Sequence, residues 1–466
     1  MIGVDAGRGF GLLVWTRPRV GVVKLLSWFT IIAMAVTITS VWIWDEELDP
    51  MVRVWLSASI QRATSADNGY VFLMGLFAAP DDSPTEVGAQ RAKRYALAMA
   101  SRESGRSPEF DDYPADQRLD IGDALAGLCE VEHRSCLEKF VVSADSIMGL
   151  AANFGMLLER YQALSEYPRF VTTTPPGMHE PAPPLPLLMA LHRLHNAAIA
   201  IEFETGSRLR ALGMLAVDMK FMRRLMADND QLMVKLAGAR MLARDLHLYV
   251  EFLESPGFVH RYLQGLTGEL SDLSQQELGL SSAVRREFLV MADALEGVSD
   301  GGEFGLQEQT PGWLTRGLYK PNATLNRMFV RYTALGALSR QSAAEFSRQW
   351  QGHVTLPPAG VTDYFLNPIG TVLSETVDPD LRRHFAVMHD LQGLLRLTRT
   401  AQAIRFEEVA AEDVEQFLLA ASPALDNPYT GAPFFWNAER NMLRFDGLSS
   451  WHELMQVELG DLPPRS

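Results

Sequence analysis

The sequence has no His-Glu-x-x-His motif, few lysines and only two cysteines. The missing motif excludes the usual helical zinc site of metallopeptidases. The glycines at Gly7, Gly9 and Gly11 are not framed by a predicted strand and helix, as phosphate-binding loops are. A formal net charge of −15 argues against nucleic acid as a partner, because phosphate binding needs a basic face. The sequence therefore predicts no catalytic, cofactor-binding or metal-binding residue.

One uncharged apolar run, residues 25–44, begins at Leu25 and ends at Trp44. A helix that crosses a bilayer needs about 20 such residues. Basic residues up to Lys24 precede the run and acidic residues from Asp45 follow it, which predicts a cytoplasmic N-terminus. With the Ala- and Arg-rich composition, this predicts a single-pass bacterial inner-membrane protein whose bulk is periplasmic. The alternative is a cleaved signal peptide, whose apolar region is about 7–15 residues long.

The two cysteines, Cys129 and Cys136, stand close together in sequence. In an oxidising compartment such a pair favours a disulfide. The alternative is a metal site that uses both thiolates with His133, but zinc sites usually have C-x₂₋₄-C spacing and four ligands. We expect the disulfide.

The spacing of apolar residues along the chain predicts a mostly α fold. It would consist of a transmembrane helix, then helical-bundle or solenoid-like periplasmic domains, and a small C-terminal β-hairpin. The hairpin pairs residues 434–436 with 442–445. The predicted regions are 1–24 (cytoplasmic tail), 25–44 (transmembrane helix), 45–171 (stalk and N-terminal helical region with the cysteine pair), 172–186 (Pro-rich linker), 187–296 (helical-repeat-like region) and 297–466 (C-terminal helical domain ending in the hairpin).

Two parts of the chain resemble known proteins. Residues 187–254 resemble tetratricopeptide-like helix pairs, although the diagnostic Trp, Gly, Tyr and Pro positions are out of register. The phrases PNATLN (321–326), NPIG (367–370), HDLQGLLRL (389–397) and NPYTGAPFFW resemble single-pass, membrane-anchored periplasmic helical proteins of Gram-negative bacteria. That family has no assigned chemistry, so the resemblance implies no catalytic residue. The turn in the last phrase is also similar to the Asp-Pro-x-Gly-x-Pro turn of pseudopilins, but the N-terminal flank lacks the prepilin signature.

Histidines and aromatic residues are the remaining candidates for a site. His192 and His195 lie at i and i+3 of a predicted helix, where we expect them to be solvated or capped, because no Glu stands three residues before either. His384 and His389 lie on a second predicted helix without a catalytic partner facing them. The aromatic-rich C-terminal part is either ordinary core or a partner surface. That surface would comprise Trp313, Tyr429, Phe434, Phe435 and Trp436.

These observations lead to two hypotheses of different classes. The first is a non-enzymatic periplasmic scaffold or protein-binding module for an envelope protein. The second is a periplasmic hydrolase or modifying enzyme whose active site is built from residues scattered in sequence. A deep pocket with converging histidines and carboxylates would favour the enzyme, and a groove lined by apolar and aromatic groups would favour the scaffold.

Overall fold

The computed structural model describes residues 20–57, 67–101, 110–129, 136–258, 266, 268–299, 318–351, 358–375, 379–451 and 454–463. These residues form a mostly helical protein with a small three-stranded antiparallel sheet near the C-terminus, so the predicted fold class is confirmed at this level.

The helices and strands are named here in chain order. They are α1 (Val20–Ile43), α2 (Pro50–Ser57), α3 (Gly69–Met74), α4 (Pro84–Ser101), α5 (Cys136–Val142), α6 (Ala144–Asn153), α7 (Gly155–Leu164), α8 (Leu185–Thr205), α9 (Arg208–Asp228), α10 (Leu232–Glu254), α11 (Gln275–Leu278), α12 (Ser281–Ser299), α13 (Pro321–Leu338), α14 (Ala343–Gln351), α15 (Val361–Leu366), α16 (Pro368–Glu375), α17 (Pro379–Phe406), α18 (Val414–Ala420), β1 (Phe435–Asn437), β2 (Met442–Arg444) and β3 (Gln456–Glu458).

Three long helices, α8, α9 and α10, form the centre of the protein, close to where the apolar periodicity predicts them. Short connections make them sequential neighbours. Ser207 caps the start of α9, because its side chain accepts a hydrogen bond from the Arg210 N–H. Helix α10 packs against α8, α9, α5 and α17, and most of its side chains are buried. Buried apolar residues from Val52 to Leu459 belong to one hydrophobic cluster around this centre.

The apolar face of residues 137–167 predicts one long helix, and this prediction is wrong. The chain forms three shorter helices instead, with non-helical backbone at Ser143 and Phe154. The breaks let α5, α6 and α7 each change direction and pack against α8. The predicted disulfide between Cys129 and Cys136 is confirmed, with 5.5 Å between the two Cα atoms. It lies directly before α5.

The Pro-rich segment 172–186 has no helix before α8 begins, as its prolines predict, but it is not a free spacer. Thr172 and Thr174 are buried. The Thr172 hydroxyl donates to Asn229 Oδ1 at 3.3 Å, and Arg286 donates to the Thr174 carbonyl at 3.0 Å. The segment is therefore packed onto the protein by polar contacts that its composition does not reveal.

The segment after α1 was expected to form a stalk, but its described part lies against α13. The Asp45 carboxylate accepts hydrogen bonds from the backbone N–H groups of Asn322 at 2.8 Å and Ala323 at 3.1 Å. Trp55 packs edge-on against Phe329, with 4.9 Å between ring centroids. Residues 45–57 of the predicted stalk are therefore in contact with this helix, and residues 58–66 lie outside the described residues.

The predicted membrane span falls on α1. The structure describes its side chains only at positions 24–34 and 36. Within the described part of the chain, no helix has the length and apolar character that crossing a bilayer requires. The anchor at residues 25–44 stays a prediction.

The C-terminal hairpin is confirmed and is extended by a third strand. Strand β1 pairs antiparallel with β2, and β2 pairs antiparallel with β3. Trp436, Leu443 and Val457 are cross-strand neighbours and are all buried, so one face of the sheet packs on the core. Phe435 points to the other face and is exposed.

Two helical glycines offer a test of the packing between α3 and α4. A Cβ added at Gly88 in α4 would lie 1.8 Å from the Val71 carbonyl oxygen, whereas one added at Gly213 in α9 would meet nothing within 4 Å. We expect Gly88→Ala to destabilise the protein by about 3 kcal/mol through steric overlap. Gly213→Ala should stabilise it by about 0.5–1 kcal/mol, because alanine is the better helix former. Urea denaturation followed by circular dichroism measures both, and a neutral Gly88→Ala would contradict this packing.

Candidate functional site

A wide groove of about 1320 Å³ runs over the surface where α8, α10, α14, α17 and a C-terminal loop meet. Apolar side chains predominate, and serines and basic residues complete the lining. The lining residues are Ala182, Pro183, Leu185, Pro186, Met189, Ala190, Arg193, Met233, Leu236, Ala237, Arg240, Arg244, Trp350, Arg383, His384, Val387, Leu448, Ser449, Ser450 and Trp451.

The helical repeat explains how α10 forms one side of the groove. Met233, Leu236, Arg240 and Arg244 follow one another at three- and four-residue steps, so they share one face of the helix. The apolar members occupy the first turns of this face and the arginines the later ones. Met233 is 61% exposed and so presents an apolar side chain at the groove surface.

The groove is cationic although the chain as a whole is acidic. Arg193, Arg240, Arg244, Arg383 and His384 line it, and no carboxylate does so among the described residues. A cleft lined by charges of one sign concentrates the electric field and raises the local concentration of oppositely charged ligands. The arrangement therefore attracts anionic groups to an apolar surface.

The C-terminal loop, residues 448–451, is fixed as a wall of the groove by one buried carboxylate on α17. Asp390 accepts hydrogen bonds from the backbone N–H groups of Leu448 at 3.0 Å and Ser449 at 2.8 Å, and from the Tyr429 hydroxyl. Gly447 fits against this carboxylate, because a Cβ there would lie 2.8 Å from an Asp390 oxygen. The role of Asp390 is thus to position the loop.

Two arginines connect the groove to its surroundings. The Arg240 guanidinium lies over the Trp451 ring, 5.8 Å from its centroid, a cation–π contact between α10 and the loop. Arg193 donates to the carbonyl groups of Leu125 at 3.3 Å and Leu128 at 2.8 Å. These carbonyls belong to the segment that ends at the disulfide, so the disulfide region helps to fix the α8 side of the groove.

A second polar group lies inside the three-helix centre, directly beneath α8. His192 and His195 come from α8, Asp218 from α9 and Asp245 from α10. His192 Nε2 is 2.8 Å from Asp245 Oδ1, and His195 Nε2 is 3.6 Å from Asp218 Oδ2. Asn196 donates to Asp245 Oδ1 at 2.9 Å. All of these side chains are buried, so of the two predicted states, solvated or capped, the histidines are not solvated, and each lies beside a carboxylate.

Burial dominates the electrostatics of this buried cluster, by which we mean His192, His195, Asp218 and Asp245. Loss of solvation, followed by the charge of Arg244, holds the pKa of His192 well below its usual value. Loss of solvation, followed by the charge of His192, lowers the pKa of His195 to about 4. The same burial raises the pKa values of Asp218 and Asp245 well above the usual range, and the Asp245 charge adds to the effect on Asp218. Each group is thus pushed toward its neutral form.

The other predicted histidines have separate surroundings. His384 lines the groove. His389 is buried with its ring 4.9 Å from the Phe346 ring, and loss of solvation lowers its pKa to about 4. Its neighbour Asp390 holds the loop, so the His389–Asp390 pair forms no catalytic dyad in the described structure.

The predicted aromatic partner surface does not form as one face. Tyr429, Phe434 and Trp436 are buried, Phe435 is exposed, and Trp313 lies outside the described residues. The alternation of a strand explains this outcome, because successive side chains point to opposite faces. The exposed aromatic surface that sequence reasoning missed is the groove, where Trp350 and Trp451 come from elements far apart in sequence.

The sequence contains one match to a hydrolase motif. Residues 297–301 read Gly-Val-Ser-Asp-Gly, which matches the Gly-x-Ser-x-Gly pattern of hydrolase nucleophile elbows. Such an elbow places the serine at a sharp turn from a strand into a helix. Here Ser299 is the last residue of helix α12, which is the wrong local structure for an elbow. The match therefore provides no support for a hydrolase.

Comparison with known proteins adds no relative: no family model, curated protein or solved structure matches the chain.

The carboxylate that holds the loop gives a direct test of the groove wall. In Asp390→Asn an amide NH₂ replaces one oxygen that accepts a backbone N–H. We expect a loss of about 2–3 kcal/mol, the contribution of hydrogen bonds to a charged acceptor. Hydrogen exchange at the Leu448 and Ser449 amides should accelerate at the same time. The exposed neighbour provides the control, since Asp446→Asn should change stability by less than about 0.5 kcal/mol. Unchanged exchange at both amides in Asp390→Asn would contradict this role.

Proposed function

We propose that the chain is a non-enzymatic, membrane-anchored periplasmic binding module whose groove holds an acidic, partly apolar segment of an envelope partner protein. The observation that carries the proposal is the chemistry of the groove. Four arginines and a histidine line an open, predominantly apolar surface.

The size and composition of the groove favour a peptide segment over a small substrate. Its volume of about 1320 Å³ exceeds the roughly 300–1,000 Å³ that is typical of small-molecule pockets. Arginine and tryptophan are the residues most enriched at the energetic centres of protein interfaces. Methionines such as Met189 and Met233 adapt their shape to apolar partner side chains. An amphipathic segment with acidic residues would satisfy both the apolar and the charged parts of this lining.

The enzyme hypothesis has less support. Among the described residues, the groove is lined by no member of the buried cluster. Asn196 and Arg244, which adjoin the cluster, line a separate small pocket, but the cluster itself does not. General acid–base chemistry needs a titratable group that a substrate can reach.

Helix α1 supports the anchor in this proposal. Leu25, Trp28 and Phe29 on it are more than half exposed, and large exposed apolar surfaces mark contacts with a membrane or a protein. The flanking charges favour a cytoplasmic position for the preceding tail and a periplasmic position for the groove. The resemblance to membrane-anchored periplasmic proteins agrees with this placement.

Site-specific photo-crosslinking tests the groove. A benzoylphenylalanine at Met233, in cells that produce the full chain, should capture a protein through a segment rich in Asp and Glu, mapped by mass spectrometry. Arg240→Glu combined with Arg383→Glu should reduce capture about tenfold or more, the effect of losing about 1.4 kcal/mol or more of binding free energy.

Two controls make the crosslinking decisive. Leu209 on α9 is as exposed as Met233 and lies outside the groove, so the same probe there should not capture the partner. Arg210→Glu reverses an exposed charge on α9 and should leave capture unchanged. The proposal fails if Met233 captures lipid instead of protein, if nothing is captured, or if the double reversal has no effect.

The orientation in the membrane is tested separately. Alkaline phosphatase fused after Ser466 should be active, because that enzyme requires export and the basic flank of residues 25–44 lies on the N-terminal side. A green fluorescent protein of the type that fluoresces only in the cytoplasm should be dark at the same position. The reverse pattern would place the groove in the cytoplasm and refute the periplasmic assignment.

A further inference from the structure

We propose that His192, His195, Asp218 and Asp245 form a structural binding site for one divalent transition-metal ion, with zinc as the best fit. The proposal does not depend on the binding function of the groove. It follows from the donors, their spacing and the buried atoms that lack partners.

The donors come from three different helices and meet at one place. One ligand atom each of His192, Asp218 and Asp245 lies within 4.8 Å of the other two. His195 Nε2 lies 3.6 Å from the Asp218 oxygen and is the donor proposed as the fourth ligand, although it is not one of this mutually close group of three. Tetrahedral zinc holds nitrogen and oxygen ligands at about 2.0–2.2 Å, so its donors are about 3.4 Å apart. Metal binding would therefore draw the three grouped donors together and bring His195 toward them.

Two polar atoms in this cluster have no hydrogen-bond partner among the described residues. They are His192 Nδ1 and Asp245 Oδ2. Asp245 is fully buried, so bulk solvent does not reach its free oxygen. A buried carboxylate oxygen without a partner is costly, and a metal ion is one of the few groups that satisfies it.

The charges of the ligands also match a divalent ion. In their metal-binding forms the two aspartates carry two negative charges and the two imidazoles carry none, so one divalent cation neutralises the set.

The donor set selects the class of metal. Imidazole nitrogens with carboxylate oxygens suit zinc and other first-row transition ions, whereas calcium and magnesium prefer oxygen alone. Four protein donors leave no open position, which is characteristic of structural zinc sites. Asn196 donates a hydrogen bond to Asp245 and would orient this ligand without itself binding the metal. Bound metal would join α8, α9 and α10, the helices at the centre of the fold.

Metal analysis and thermal denaturation of the full chain test the site. The protein is purified in detergent without a histidine tag, stripped with EDTA, and equilibrated with zinc chloride. We expect about one zinc per chain by mass spectrometry of the metal, and a rise in melting temperature of about 5 °C or more that EDTA reverses. The protein as first isolated is also analysed for manganese, iron, cobalt, nickel, copper and zinc.

Matched variants separate this site from incidental zinc binding. His192→Gln and Asp245→Asn should each lower the bound zinc to about one tenth of an equivalent or less, since each removes a ligand. His389→Gln changes another buried histidine, outside the cluster, and should retain the full equivalent. If His192→Gln fails to fold, two measurements still test the site. They are the zinc content of the near-isosteric Asp245→Asn variant and the response of the unmodified chain to zinc. A chain that retains none of these metals and melts identically with zinc and with EDTA refutes the site. So does a folded Asp245→Asn variant that binds a full equivalent.

Discussion

The burial of α10 (Leu232–Glu254) is the constraint on which the rest of the structure depends. Helices α8, α9, α5 and α17 cover most of its surface, so nearly every polar group on it needs a partner inside the protein. Lys235 shows how this is met: its ammonium donates to the carbonyls of Met226 and Gln276, and loss of solvation lowers its pKa to about 8. The bond to Met226 also places a positive charge at the C-terminal end of α9.

Adjacent residues of this helix contribute to two different sites, the groove and the buried cluster. Arg244 reaches the groove and Asp245 points into the buried cluster, because successive helical side chains are about 100° apart. On α8, Arg193 and His192 divide in the same way. The groove and the cluster are therefore two faces of one helix pair. Whatever fixes the spacing of α8 and α10 from inside also fixes the positions of the groove arginines.

Local features could be predicted from the sequence, and long-range ones could not. Apolar periodicity predicts helical blocks at about 187–205, 208–228 and 231–254, each within two residues of the bounds of α8, α9 and α10. The cysteine spacing identified the disulfide. The turn cluster before Phe435 identified the hairpin. By contrast, the sequence around His192 and His195 does not indicate that their side chains are buried. Their carboxylate partners, Asp218 and Asp245, lie on other helices, which no local pattern pairs with them.

The groove could not be predicted from the sequence for a related reason. Net charge is a sum over the chain and does not show where charges meet in the fold. Arg193, Arg240 and Arg383 lie on α8, α10 and α17, and only the packing of those helices brings them together. The net charge of −15 has a consequence for binding. An excess of negative charge outside a cationic groove repels extended polyanions such as nucleic acid, whose charge lies along their whole length. A partner with acidic residues confined to one short segment meets less of that repulsion. Under the proposed binding function, this charge would favour partners whose acidity is local, and the apolar lining would supply the rest of the discrimination.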